Sequence, residues 1–214
     1  MKKGIFITFE GTDGCGKTTV LEGVRKKLAI NGHADDVLFT REPGGSKISE
    51  QIRNIILDKN NVEEDERTEA LLYAASRRQH LVDIVLKALK ENKIVISDRY
   101  VDSSLVYQGY ARGIGIDEVL KINEFAIDGL FPDLTILLDL DPKIGMERIK
   151  NNRKDKADRL DNEELSFHQK VYEGYQIIEK RYKNRIYKVD ASRSVEQVID
   201  DAFLKIISFI KMYE

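Results

Sequence analysis

A three-layer α/β fold is what this sequence predicts: one five-stranded parallel sheet with helices on both faces. Five short apolar runs, Ile5–Phe9, Asp36–Thr40, Ile94–Ser97, Leu134–Leu138 and Ile186–Val189, have the length and continuity of buried parallel strands. Segments with apolar residues at helical spacing separate these runs, as covered parallel sheets require. Residues 11–18 read Gly-Thr-Asp-Gly-Cys-Gly-Lys-Thr, a full match to G-x-x-x-x-G-K-[ST], and lie where that pattern belongs, after a strand and before a helix.

Taken in order, the first run, Ile5-Phe6-Ile7-Thr8-Phe9, leads through the glycine loop into a helix over Thr18–Ile30, with Val20, Leu21, Val24 and Leu28 on one face. The glycines allow successive backbone N–H groups to turn inward, and the helix N-terminus adds roughly half a positive charge, which together make an anion site. Lys17 can reach β- and γ-phosphates there, and the Thr18 hydroxyl can ligate Mg²⁺. The second run ends at Arg41-Glu42-Pro43-Gly44-Gly45 and is followed by a helix over Ser49–Leu57 with Ile52, Ile55 and Ile56. A long helix over Arg67–Glu91 repeats Leu71, Leu72, Ala75, Leu81, Ile84, Val85 and Leu89. The third run ends at Asp98-Arg99-Tyr100. Helices over Asp117–Ile127 and Pro142–Asn151 flank the fourth run, after which Asp139 and Asp141 read as loop and cap residues. A helix over Glu163–Tyr182 carries Phe167, Val171, Tyr175 and Ile178, and a helix over Val195–Ile210 follows the fifth run.

The 214 residues, with three prolines and no Pro/Gly/Ser-rich linker, favour a single domain, 1–214. Hydrophobic content of 42% and charged content of 34% suit a globular protein with a substantial core. A net charge of −2 argues against generic nucleic-acid binding. No run of 18 apolar residues predicts a membrane span, and Met1-Lys2-Lys3-Gly4 leads into a strand rather than a signal peptide. One cysteine, Cys15, fits a reducing cytoplasm. It reads as filler at a free position of the loop, a reactive thiol at a helix N-terminus being the alternative.

Ligands of such sheets bind at the carboxyl ends of the strands, where Gly11–Thr18, Arg41–Gly45 and Asp98–Tyr100 all fall. Phosphoryl transfer needs positioning and charge, and arginine supplies planar, permanently charged, bidentate donors. Arg41 and Arg99 stand at strand ends, Arg53 one helix further on, and Arg77 and Arg78 on the long helix. Arg78 and Lys154 read as surface charges. Asp98 ends its strand where a carboxylate can hold Mg²⁺ or its waters, and Asp13 lies inside the phosphate loop. The charged stretch 150–162, without apolar period, reads as a lid, a plain surface loop being the alternative.

The motifs Phe9-Glu10-Gly11-Thr12-Asp13-Gly14-Cys15-Gly16-Lys17-Thr18-Thr19, Thr40-Arg41-Glu42-Pro43-Gly44-Gly45, Leu72-Tyr73-Ala74-Ala75-Ser76-Arg77, Ser97-Asp98-Arg99-Tyr100 with Ser103-Ser104 and Tyr107-Gln108-Gly109, and Asp158-Arg159-Leu160-Asp161 together resemble thymidylate kinases of the bacterial type, over nearly the whole chain. The resemblance implies a P-loop NTPase fold, a cytoplasmic homodimer, and transfer of the ATP γ-phosphoryl group to dTMP, giving dTDP and ADP for dTTP synthesis and DNA replication. It implies an ATP site of Gly11, Thr12, Asp13, Gly14, Cys15, Gly16, Lys17, Thr18 and Thr19 with Arg148 against the adenine, and Mg²⁺ at Thr18 and Asp98. Asp13, Lys17, Arg99, Arg153 and Arg159 would be catalytic, the last two from the lid. Glu42, Arg41, Arg53 and Arg99 would lie at the dTMP phosphate end, with Tyr73 stacked on thymine and Arg77 at its O4. Ser103, Ser104 and Gln108 would be polar contacts, and Tyr107 would stand against the sugar C2′. Arginine only donates, so Arg77 suits the O4 of thymine and opposes the amino group of cytosine. Some relatives carry an arginine inside the phosphate loop; Gly14 holds that place here, which leaves the lid to supply the charge.

Two rivals remain distinguishable. A nucleoside kinase acceptor would have no phosphate for Arg41, Arg53 and Arg99. A GTP switch would carry Asn-Lys-x-Asp, whereas Asn92-Lys93-Ile94-Val95 lacks the aspartate.

Overall fold

Alternation along the first strand decides how the layers stack. In β1 (Ile5–Gly11), Ile5, Ile7 and Phe9 enter one apolar cluster and Phe6 enters another on the opposite face. The computed structural model describes residues 4–152 and 164–213. Its strands β1, β2 (Val37–Arg41), β3 (Ile94–Asp98), β4 (Leu134–Asp139) and β5 (Ile186–Asp190) form one parallel sheet in the order β2-β3-β1-β4-β5. All five predicted runs are strands, each extending one or two residues past the predicted carboxyl end. In register, Phe9 stands opposite Asp98 and Arg41 opposite Asp98 on the other side. The chemical residues that follow β1, β2 and β3 are therefore side by side.

One face is covered by α1 (Lys17–Leu28) and α9 (Val195–Lys211), whose Val20, Val24 and Leu28 and Val198, Ala202, Ile206 and Ile210 pack on Ile7, Phe9, Ile96 and Ile136. α9 starts from a capping box in which Ser194 and Gln197 satisfy each other's backbone N–H groups. The other face takes α3 (Glu66–His80), its continuation through a widened π turn (Leu81–Val85) into α4 (Leu86–Lys90), and α8 (Leu165–Arg181). α2 (Lys47–Leu57) packs on α3, and α7 (Pro142–Asn152) ends where the stretch read as a lid leaves the described residues. Asp141 caps α7, as expected, by accepting from the Lys143 N–H at 2.8 Å, whereas Asp139, read as a loop or cap residue, ends β4 and accepts from Gln176.

Residues 101–111 differ from the sequence reading, which placed no helix there. They form α5 (Val101–Ser104), which runs directly into a π-helical stretch (Leu105–Ala111), and α6 (Ile116–Ile127) follows. The reason is burial. Nearly every residue of this segment is buried, so no polar face marks the helical period. π segments are rare and gather at functional sites, which is where this one lies.

Candidate active site

A cleft of about 700 Å³ opens at the carboxyl ends of β1, β2 and β3, within the size range of small-ligand sites. Its walls include Asp13, Gly14, Cys15, Gly16, Lys17, Thr18 and Thr19 from the glycine loop, and Arg148 from α7. At the other end stand Arg41, Glu42, Arg53, Tyr73, Arg77, Arg99, Ser103, Ser104, Tyr107 and Gln108, with Asp98 between the two groups. Gly11 and Thr12 lie behind the loop rather than on the wall. Arg153 and Arg159 lie outside the described residues.

The glycine loop is shaped by its backbone. Gly16 caps α1 with φ 95°, a left-handed conformation that suits a residue without Cβ. Gly14 has φ 73°, and a Cβ there would collide with the backbone of Gly145 in α7. Close packing of the loop on α7 is thus a physical reason for glycine, and against any side chain, at this position. The Lys17 ammonium is held in the loop by the carbonyls of Gly11 at 3.0 Å and Thr12 at 3.2 Å. Cys15 is buried, its Sγ 3.7 Å from the same ammonium.

Arg99 is the hinge between the two ends. Its φ of 67° is left-handed, and three bonds fix it there: its N–H donates to Phe9 O, its own carbonyl accepts from Ser97 Oγ, and the next N–H, of Tyr100, donates to Glu10 Oε1 at 2.8 Å. The guanidinium then forks. Nη2 donates to Asp13 Oδ1 at 2.5 Å and Tyr107 Oη at 3.1 Å, while Nη1 donates to Ser103 Oγ at 3.0 Å and Tyr175 Oη at 3.3 Å. Burial alone would raise the Asp13 carboxyl, but Arg99, Lys17 and the Tyr107 hydroxyl outweigh it and hold it below its ordinary value. Asp13 is therefore an anion at neutral pH, fixed from two sides.

Beneath Arg99 lies Glu10, which sequence reasoning quoted in a motif without assigning a role. Its carboxylate accepts from the N–H groups of Tyr100 and Ser103, from Ser103 Oγ at 2.6 Å and from Tyr175 Oη at 2.9 Å. Tyr175 carries in the sequence only the helical spacing of a core position of α8. The available signal was a carboxylate ending an apolar strand, which needs donors when buried. Next to it, Asp102 and Arg185 form a bidentate pair at 2.7 Å. Burial pushes the Glu10 carboxyl up to about 7; Asp102 adds to the rise and Arg99 opposes it. A carboxyl raised on folding contributes stability that is full below its unfolded value of 4.5 and is lost as pH rises through about 7. That loss is on the order of 3 kcal/mol. Thermal melts taken from about pH 5 to pH 8 should therefore fall more steeply for this protein than for a Glu10→Gln variant. Parallel pH profiles for the two would contradict the assignment.

At the end of the cleft away from the glycine loop, Arg41 Nη2 donates to both Glu50 oxygens at 2.8 and 3.0 Å and its Nη1 donates to Pro43 O, as does Arg53 at 2.9 Å. The Gly45 N–H, Arg41 and Arg53 hold the Glu50 carboxyl below its ordinary value against the opposing effect of burial. Glu42, grouped with the substrate contacts on sequence, borders the cleft, yet both its oxygens are engaged below it: Oε2 accepts from Arg77 Nε at 2.8 Å and Oε1 from His80 Nδ1 at 2.9 Å. Arg77 also donates through Nη1 to Asn123 Oδ1 and through Nη2 to Tyr100 O and Ser104 Oγ. These bonds fix the guanidinium plane at the cleft wall and occupy four of its five N–H donors.

A sequence model of the thymidylate kinase family matches residues 9–202. The chain is 56% identical to the thymidylate kinase of Clostridium novyi over 207 residues, covering 96% of this chain and 100% of that one. It is 58% identical to that of a Geobacillus species over 196 residues, 92% of each chain. The crystal structure of thymidylate kinase from Ehrlichia chaffeensis superposes with a TM-score of 0.77 at 30% identity, over 96% of this chain and 99% of that one. The strand order, the glycine loop and these matches agree, and the chain belongs to the thymidylate kinase family.

Proposed function

We infer that this protein transfers the γ-phosphoryl group of ATP to dTMP, giving dTDP and ADP. The observation that carries the reading is the single cleft with two unlike ends, joined by the Asp13–Arg99–Tyr107 cluster. The loop end suits a triphosphate: backbone N–H groups, the start of α1 and Lys17 meet anionic oxygens without covalent chemistry. The other end suits a nucleoside monophosphate, with arginines for its phosphate and an aromatic and polar wall for its base. Arg99 touches both halves, so its fork can hold the acceptor phosphate oxygens in line with the donor. Asp13, held as an anion, keeps the fork aimed. Tyr107, 4% exposed, has its hydroxyl tied to Asp13 at 2.8 Å and lines the cleft, where its ring would stand against the sugar C2′.

Mg²⁺ belongs to this reading. Asp98 Oδ1 is buried and takes no hydrogen bond among the described residues, and Thr18 lines the same cleft. One carboxylate, one hydroxyl and the substrate's own phosphate oxygens are the hard-oxygen set this ion accepts. Held by Thr18 and Asp98, it would neutralise charge on the transferring phosphates. Arg148 would lie along the adenine, and Arg153 and Arg159 would close from the lid.

An ADP-release assay with ATP and Mg²⁺ tests the reading, run with dTMP, dUMP, CMP, thymidine or no acceptor. Turnover with dTMP, weaker with dUMP, and none without acceptor is expected. Acceptor-independent turnover would reduce the protein to an ATPase, and turnover with thymidine alone would remove the acceptor-phosphate role of Arg41, Arg53 and Arg99.

A cytoplasmic homodimer completes the proposal. Among the described residues, no helix is long and apolar enough to cross a membrane. Leu71, Ala75, Arg78 and Val82 are exposed at helical spacing along α3 and its continuation. Arg78 donates to Ala126 O, which brings this stripe beside Phe125 of α6, 92% exposed. A bare aromatic next to an apolar stripe suits a self-complementary interface. A Phe125→Glu substitution is expected to convert a dimer to a monomer in sedimentation equilibrium, and a dimer that persisted would place the interface elsewhere.

A further inference from the structure

Two rows of side chains meet at the end of the cleft away from the glycine loop, where Tyr73, Arg77, Ser104 and Gln108 line it. On α3 the row is Glu69, Tyr73 and Arg77, each four residues apart and so on one helical face. On the α5–π segment and the residue that ends it, the facing row is Ser104, Gln108 and Arg112. The rows are bonded at both ends. Arg77 Nη2 donates to Ser104 Oγ at 3.0 Å, and Gln108 Nε2 donates to Glu69 Oε1 at 2.8 Å. Arg112 Nη2 lies 3.6 Å from the other Glu69 oxygen. Glu69 and Gln108 are 1% and 2% exposed, so the bond between them is not shared with bulk water.

The Glu69–Gln108 bond has a chemical direction. A carboxylate only accepts, so the amide must turn its nitrogen toward Glu69, and its oxygen is left for the cleft that Gln108 lines. We propose that Glu69 is the positioning residue for pyrimidine choice, because it fixes the Gln108 amide with an acceptor toward the base. This rests on the dTMP reading above and adds a residue to it. The wall then presents a donor from Arg77 and an acceptor from Gln108. Thymine and uracil carry the complement, an O4 acceptor beside an N3–H donor. Cytosine carries the reverse, an amino donor beside a bare N3, and would face donor against donor and acceptor against acceptor. Arg77 alone opposes only the amino group; Glu69 makes the second mismatch.

The test is a specificity ratio, which a merely structural role would not move. Steady-state kinetics with dTMP, dUMP and dCMP are compared for the unmodified protein, Glu69→Gln and Glu69→Asp. A glutamine at 69 can accept or donate, so it permits both amide orientations. Glu69→Gln is expected to lower the kcat/KM ratio of dTMP to dCMP by ~10-fold, mainly through KM, while the dTMP-to-dUMP ratio stays put. Glu69→Asp keeps an acceptor-only partner and should retain most of the discrimination. An unchanged dTMP-to-dCMP ratio, or both ratios moving together, overturns the proposal. Gln108→Leu carries the same prediction if Glu69→Gln does not fold: loss of cytosine discrimination supports the role, and its retention refutes it. Absence of dTMP turnover in the unmodified protein would overturn the functional reading and this inference with it; discrimination there that survives Glu69→Gln overturns only the inference.

Discussion

Replacing Arg99 by lysine is expected to lower kcat by about 10²–10³-fold while the melting temperature falls by only a few degrees. Lysine keeps the positive charge, so the Asp13 anion is not abandoned, but it offers one ammonium in place of a planar fork. The fork of Arg99 joins groups from three segments of the chain, Asp13 and Tyr107 through one nitrogen and Ser103 and Tyr175 through the other. No single ammonium spans both pairs. The left-handed backbone at residue 99 would remain, since the bonds that fix it come from Phe9, Ser97 and Glu10 and not from the side chain. Only the aim of the charge is lost, which weakens interactions that strengthen in the transition state and leaves ground-state binding of ATP largely intact. The expected pattern is a collapse in kcat with KM for ATP within a few-fold. Retention of kcat within about threefold would show that position 99 supplies charge alone, and a KM effect without a kcat effect would make it a binding residue.

What could be read from the chain and what could not divide along sequence separation. The glycine loop was legible because strand, loop and helix are contiguous, so eight residues state their own geometry. The strands were legible because burial on both faces leaves unbroken apolar runs. The same burial hid residues 101–111: with every side covered, a helix has no polar stripe to betray its period. The partners of the functional groups were hidden for a different reason. Glu10 meets Tyr175 across 165 positions, and Asp13 meets Arg99 across 86. Local pattern carries no trace of such pairs, and only the sheet order brings them together. Gly14 shows the two sources meeting. Its identity was visible and its departure from an arginine could be noted, but its packing against Gly145 needed the placement of α7. Glu42 shows the reverse: its place beside the arginines was visible, and the direction of its carboxylate was not.

Glu42 is also where the largest change in stability is expected. Its side chain is 2% exposed, as is that of Arg77, and that of His80 is fully buried. His80 Nε2 lies 2.6 Å from the Thr40 hydroxyl, so both ring nitrogens are partnered and the chain of bonds is complete. Glu42→Ala removes the shared acceptor and leaves a guanidinium in the interior without its counter-charge. Breaking one side of a buried pair costs about 3–5 kcal/mol, which for a chain of this size lowers Tm by roughly 10 °C. Glu42→Gln keeps the shape and one acceptor oxygen, and should recover about half of that loss. Calorimetry on the two variants measures both steps, and an alanine variant melting within about 2 °C of the parent protein would mean that Arg77 finds another partner. The two variants also separate fold from recognition. Nε of Arg77 is held by Glu42 while its Nη atoms reach the buried Asn123 and, at the wall, Tyr100 and Ser104. With the Nε anchor gone the plane can rotate, so KM for dTMP should rise in Glu42→Ala even at temperatures where the variant is fully folded. On the proposed reading, the carboxylate that holds this region together would thus also aim the Arg77 donor toward the base.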